Sequence, residues 1–153
     1  MRQQRGYSYL IALFAVAVLL VVSLRALEHS KTAGRREREA ELLFAGLAYQ
    51  QAIKDYYQFS PGTSKQYPPD LQALLLDNRA TRTRRPLRRL YRDPMTGSAD
   101  WGLVKTPDGL VKGVYSLSTE QPIKTGGFPD ALQALEGAKR YQDWKFVFEP
   151  TPG

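Results

Sequence analysis

The sequence predicts an α+β protein in which a long N-terminal helix packs on a small antiparallel β-sheet. Residues 7–24 read as one uncharged apolar helix, and residues 26–59 continue a helical pattern without proline. Short β-prone runs separated by turn residues follow after residue 100. A sheet of this size needs a partner to cover its apolar side, and the helix after residue 40 can supply one.

Composition excludes several classes of function. The chain has 153 residues, no cysteine and one histidine, and its 22 Lys and Arg against 15 Asp and Glu give a net charge of +7. Disulfides, thiolate metal sites, cysteine nucleophiles and histidine-pair metal sites are therefore excluded. No nucleophile with a base and no paired acids stand out, so we do not expect an enzyme. The positive charge favours an anionic partner without identifying it.

The segment from Tyr7 to Leu24 is the predicted transmembrane helix. Its 18 residues contain no charge, proline or glycine. As a helix they span about 27 Å, close to the thickness of a bilayer core. The apolar character runs all the way round, whereas a core helix normally leaves a polar stripe. A cleavable secretory signal has a shorter apolar stretch followed by small residues, so this helix is expected to stay attached.

Residues 25–59 are predicted to continue the helix outside the membrane. Apolar side chains recur there at helical spacing, at Ala40, Leu43, Phe44, Leu47 and Ala48. This face is expected to pack on the globular part. The mixed-sign charges of residues 34–41 indicate a solvated face, with pairing between subunits of a filament as the alternative.

Residues 60–153 are predicted to form a globular α+β domain. Asp70 is the expected cap of a short helix, Asp93-Pro94 the expected turn, and Asp130 the expected cap of another short helix ending near Gly137. Three or four strands are expected, in the ranges 101–103, 110–111, 114–117 and 144–148. The residues expected in the core of the last part are Phe128, Leu132, Leu135 and Tyr141.

The junction between a short basic leader and the apolar helix, Arg5-Gly6-Tyr7-Ser8, resembles that of type IV prepilins. The resemblance implies that residues 1–6 are a leader, that prepilin peptidase cleaves between Gly6 and Tyr7, and that Tyr7 is then N-methylated. The fifth residue after the glycine, usually glutamate in that family, is Ile11 here. A buried subunit amine without that counter-charge is costly. The departure argues against the bulk subunit of a filament and resembles minor, tip-located pseudopilins.

The order of motifs after the long helix resembles the major-pseudopilin branch of type II secretion systems. The motifs lie at residues 67–75, 90–97, 101–104 and 114–118. The resemblance implies a type IV pilin-like fold and a filament subunit held in the inner membrane, with a cytoplasmic N-terminus and a periplasmic C-terminal domain. The implied partners are prepilin peptidase, other pilin-like subunits and an inner-membrane assembly platform.

The charge count around the apolar helix favours the opposite orientation. Arg2 and Arg5 precede the helix, whereas five basic residues follow it, namely Arg25, Lys31, Arg35, Arg36 and Arg38. The positive-inside rule taken alone places the C-terminal domain in the cytoplasm. The alternative function is therefore a single-pass signal-anchor protein that binds an anionic partner. We follow the resemblance for the predicted orientation.

An arginine segment, defined as residues 79–92, holds seven arginines and no acidic residue. Such charges should extend into solvent unless an anionic surface meets them. An acidic patch of a neighbouring subunit, phospholipid headgroups, DNA, or a solvated loop with no partner are the alternatives. Tyr91 is the one aromatic residue there, so DNA binding would be electrostatic and independent of sequence. The candidate anion-binding residues are Arg82, Arg84, Arg85, Arg88 and Arg89.

The resemblance to the pseudopilin branch implies one possible cofactor site, the calcium-binding loop of that branch. Calcium takes about six to eight oxygen ligands, usually including several carboxylates. After residue 117 the sequence supplies Ser118, Thr119 and Glu120, then Lys124, and the family's aspartate pair is missing. We therefore expect no bound metal, and Lys124 is the alternative means of bridging the loop electrostatically.

Overall fold

A computed structural model describes residues 5–151, which form one long helix, three strands and three short 3₁₀ helices. The helix α1 spans Arg5–Gln58. The strands are β1 at Gly102–Lys105, β2 at Val111–Tyr115 and β3 at Lys145–Val147. The 3₁₀ helices lie at Gln72–Leu74, Asp130–Leu135 and Tyr141–Asp143. This layout confirms the predicted α+β class, with a long N-terminal helix and a small antiparallel sheet.

The described chain divides into two units between Glu37 and Arg38. In the first unit, α1 is long and apolar enough to cross a membrane, and none of its most apolar stretch is buried. In the second unit, the helix from Arg38 to Gln58, the sheet and the 3₁₀ helices enclose one hydrophobic core. Of the predicted leader, residues 1–4 lie outside the described residues.

The sheet is a simple antiparallel meander in the order β1-β2-β3. Gly102 pairs with Tyr115, and Val114 pairs with both Leu103 and Phe146. The two runs predicted at 110–111 and 114–117 join into the single strand β2, so the sheet has three strands. Glycine is needed at position 113 because a Cβ there would lie 2.6 Å from the carbonyl oxygen of Phe146.

The face of α1 that packs on the core matches the predicted one only in part, since Leu43 and Ala48 are partly buried against the core. Ala40, Phe44 and Leu47 are exposed, Phe44 by 63%. The buried side is instead formed by Leu42, Ala45, Tyr49, Ala52, Ile53 and Tyr56. Gly46 lies on this side, where an added Cβ would overlap the ring of Phe146. The helix carries two apolar stripes, and the sheet covers the one whose small residues permit close approach.

The two short helices were predicted with partial success. Asp70 accepts a hydrogen bond from the N–H of Ala73 at 2.9 Å, but the residue at the cap position of this single 3₁₀ turn is Leu71. Asp130 is the first residue of its 3₁₀ helix instead of its cap, which is Pro129. The core prediction for this part is confirmed, with four buried residues: Phe128, Leu132, Leu135 and Tyr141.

Candidate interaction surfaces

The apolar stretch of α1, from Tyr7 to Leu24, is the largest uncovered hydrophobic surface in the described chain. Its large apolar residues from Tyr7 to Leu24 are between 45% and 74% exposed. Ile11, the residue compared with the prepilin glutamate, is 57% exposed, close to the 59% of Leu13. Exposed apolar surface of this extent needs lipid or other helices around it.

The predicted cleavage junction lies in the first turns of α1. Tyr7 is 74% exposed. A Cβ added to Gly6 would meet no atom within 4 Å. A substitution at Gly6 therefore leaves the described packing of the chain unchanged, which makes this glycine suitable for testing maturation separately from folding.

Arg79, the first residue of the arginine segment, is engaged in internal contacts. Its Nε donates to Asp77 at 2.8 Å, and one of its terminal nitrogens donates to the carbonyl oxygen of Tyr56 at 2.8 Å. Its guanidinium stacks 3.4 Å from the centre of the Tyr56 ring. The hydrogen bond from Arg79 is the main reason that the pKa of the Asp77 carboxyl lies below its usual value. Arg79 thus ties the start of the segment to the end of α1.

The other end of the segment is fixed by Tyr91. The hydroxyl of Tyr49 accepts from the Tyr91 N–H at 2.9 Å and lies 3.2 Å from the Tyr91 carbonyl oxygen, to which it donates. The indole N–H of Trp101 donates to the same carbonyl at 2.8 Å. Burial is the main cause of the raised pKa of Tyr49. The segment is therefore anchored to α1 at both ends.

All five candidate anion-binding arginines are exposed, and the structure does not gather them around one pocket. Arg84 and Arg85 line a shallow cavity of about 260 Å³ together with Asp55 and Asp77. The guanidinium of Arg84 also lies 3.8 Å from the centre of the Phe59 ring. This mixed-charge lining does not make a closed anion site, so these arginines form an open basic surface. The exposed candidates are Arg82, Arg84, Arg85, Arg88 and Arg89.

Glu39 is a buried carboxylate on α1 that holds the loop following β2. It is only 4% exposed. Its two oxygens accept from the N–H groups of Ile123 at 3.0 Å and Lys124 at 2.8 Å, and from the hydroxyl of Tyr141 at 2.8 Å. The expectation that residues 34–41 form only a solvated face is wrong for this residue. Extending the buried face of α1 one turn back from Leu42 reaches Glu39, and this spacing is the signal that could have found it.

The loop after β2 engages two carboxylates, Glu39 and Asp93, in internal hydrogen bonds. Two of its backbone groups facing the helix are N–H donors bound to Glu39, whereas calcium needs oxygen ligands. At its start, the Ser116 hydroxyl and the Leu117 N–H both donate to Asp93, which occupies that carboxylate. Within residues 5–151, no three His, Asp or Glu side chains come together as a metal site. Lys124, the predicted electrostatic bridge, lies 5.1 Å from the centre of the Phe128 ring.

Comparison with known proteins gives no relative. No family model, curated protein or solved structure matches this chain.

Proposed function

We propose that this protein is a pilin-like structural subunit, a pseudopilin of a type II secretion system or a related type IV pilus machine. The observation that carries the proposal is the Gly6-Tyr7 junction at the start of an entirely exposed apolar helix. The small α+β unit packed on the later part of α1 also supports it. Prepilin peptidase would remove residues 1–6, and Tyr7 would become the methylated N-terminus.

The proposed mechanism is mechanical. The apolar helix stores the subunit in the inner membrane, with the C-terminal unit in the periplasm. An assembly platform then moves the helix into a filament, where helices of other subunits replace the lipid contacts. Leaving the bilayer is tolerable only when these replacements are made, because each exposed apolar side chain would otherwise meet water. Extraction and assembly are therefore coupled, and the chain itself catalyses no reaction.

Substitution of Gly6 tests the proposal directly. In Gly6→Leu we expect the leader to stay attached and assembly to stop, whereas the wild-type chain should begin at methylated Tyr7. Gly34→Leu is the matched control, because Gly34 also lies in α1 and has no atom within 4 Å of an added Cβ. Mass spectrometry of the N-terminus distinguishes these outcomes. Normal cleavage of Gly6→Leu, or a wild-type protein that keeps Met1 in cells, refutes the maturation.

The second candidate function is a signal-anchor protein that binds an anionic partner through the arginine segment. The observation that favours it is the excess of basic residues after the apolar helix, which the positive-inside rule assigns to the cytoplasm. Protease added to spheroplasts separates the two. Digestion of the C-terminal unit supports the pilin-like subunit, and protection of that unit supports the signal anchor.

A further inference from the structure

The arginine segment has a fixed backbone. Asp77 and Arg84 form a two-way backbone pair, with N–H to carbonyl distances of 2.8 and 2.9 Å. The N–H of Leu87 donates to the carbonyl of Leu74 at 2.9 Å, and the Leu87 side chain is 5% exposed. Arginines carried on this backbone lose less conformational freedom on binding than arginines on a disordered tail.

The arginines of the segment fall into three groups according to their contacts. Arg79 is bound to Asp77, and Arg92 donates to the Gly97 carbonyl. Two others lie over aromatic rings, Arg84 over Phe59 and Arg89 over Tyr91. The remaining three guanidinium groups have no hydrogen-bond, ionic or ring partner among residues 5–151, and these are Arg82, Arg85 and Arg88.

An acidic patch on a second copy would have to be built mostly from exposed acids that already have partners in their own chain. Many exposed acids of the second unit have local partners: Asp70 accepts from a backbone N–H, Glu149 pairs with Lys112, and Glu136 accepts from the Gly127 N–H. Within residues 5–151, no three acidic side chains lie close enough together to hold a metal ion. Outside the arginine segment, residues 60–153 hold seven Lys and Arg against ten Asp and Glu, so their charge is close to balanced. The partner of the segment is therefore sought outside the chain.

The chemistry of the surface favours phosphate. All basic residues of the segment are arginine, whose planar fork binds phosphate oxygens in pairs. The apolar residues between them turn inward, since Leu87 is buried and Leu90 packs against the core. Binding in a lipid interface uses free apolar side chains on the same face as the cations. Within residues 79–92 no apolar side chain is exposed, and the exposed neighbour Phe59 is covered on one face by the Arg84 guanidinium. Exposed cations without free apolar side chains among them suit a phosphodiester backbone.

We propose that the arginine segment binds the phosphate backbone of duplex DNA without reading its sequence. Five arginines, at 82, 84, 85, 88 and 89, make the contacts. Binding does not require leader cleavage, so a failure of this inference leaves the proposed maturation untouched, and the reverse also holds.

The test measures binding of the full chain, in a neutral detergent, to a fluorescent mixed-sequence duplex at several salt concentrations. Five phosphate contacts predict a log–log salt slope of about −4.5, which weakens binding about 500-fold between 50 and 200 mM salt. Substitution of Arg82, Arg85 and Arg88 by Gln leaves two contacts, with a slope of about −1.8 and a weakening of about 12-fold over the same range.

A matched triple variant controls for net charge. Lys105, Lys139 and Lys145 are also exposed, and their substitution by Gln removes the same charge away from the segment. We expect this variant to keep the wild-type slope. The inference is overturned if the arginine and lysine variants lose the same amount of affinity for the duplex, or if the wild type does not bind the duplex. Tighter binding to polyglutamate, or to micelles containing phosphatidylglycerol, than to the duplex overturns it as well. Unchanged unfolding midpoints in both variants show that folding is intact.

Discussion

Removal of the Glu39 carboxylate should be among the most damaging single changes in the second unit. The side chain is 4% exposed and accepts three hydrogen bonds. A hydrogen bond to a charged group contributes about 1.5–3 kcal/mol, and a buried donor left without an acceptor costs a similar amount. Water can reach Ile123 and Lys124, which are half-buried, but not Tyr141, which is 0% exposed. We therefore expect Glu39→Ala to lower the free energy of unfolding by about 3–4 kcal/mol.

The matched control is Glu41→Ala. Glu41 lies two residues further along α1 and is exposed. Both substitutions make the same change in helix propensity, so the difference between them isolates the contacts of Glu39. We expect the control to change the free energy of unfolding by less than about 0.5 kcal/mol.

Intrinsic tryptophan fluorescence during urea unfolding is the assay, with the full chain in a neutral detergent. The sequence has two tryptophans, Trp101 and Trp144, and both are buried in the second unit, so the signal reports on that unit. Tyr141→Phe should lower the free energy of unfolding by about 1–2 kcal/mol. The double variant with Glu39→Ala should lose about 1 kcal/mol less than the sum of the two single losses, because both substitutions remove the same hydrogen bond. Equal stabilities of Glu39→Ala and Glu41→Ala, or strict additivity of the pair, would refute the assigned hydrogen bonds.

Three further predictions use the same unfolding assay or a thermal version of it. Gly46→Ala should destabilise the second unit by about 1–3 kcal/mol because the new methyl group meets the Phe146 ring. Gly34→Ala is the control, and it should be neutral or stabilising because nothing lies within 4 Å of the added Cβ. Equal effects of the two substitutions on stability would contradict this packing. Arg79→Gln should lower stability by about 1–2 kcal/mol at neutral pH. Because the pKa of Asp77 is lowered in the folded state, the ion pair between Asp77 and Arg79 stabilises the protein fully above the unfolded pKa of about 3.9, and this stabilisation is lost as pH falls through the folded pKa. The difference in unfolding free energy between Arg79→Gln and wild type should therefore shrink in acid. A constant difference from pH 7 to pH 3 would contradict the prediction. Removal of calcium by a chelator should leave the thermal midpoint unchanged, and a lower midpoint that calcium restores would contradict the prediction of no bound metal.

The long apolar helix and the order of the helix and strands could be predicted because they depend on local sequence. An uncharged apolar stretch of 18 residues has few stable environments other than lipid or a bundle of helices. Turn residues such as Asp93-Pro94 and Gly109 act through their own backbone preferences. The three strands and the core positions near Leu132 follow from the same kind of local pattern.

The buried face of α1 could not be chosen from its pattern. Phe44 and Leu47 form as regular a stripe as Leu42 and Tyr49, and helical periodicity gives both equal weight. The choice depends on which stripe the sheet can approach closely. Gly46 permits that approach, because a Cβ at this position would overlap the ring of Phe146, a residue distant in the chain.

The sequence by itself determined the composition of the surfaces: an uncharged apolar helix from Tyr7 to Leu24 and a basic segment from Arg79 to Arg92. Only the tertiary structure decided which charges are available. It places Glu39 under the loop after β2 and binds Arg79 to Asp77, while Arg82 stays in solvent. The physical reason is that a charged side chain is either solvated or paired, and its partner is brought to it by packing between residues distant in the chain.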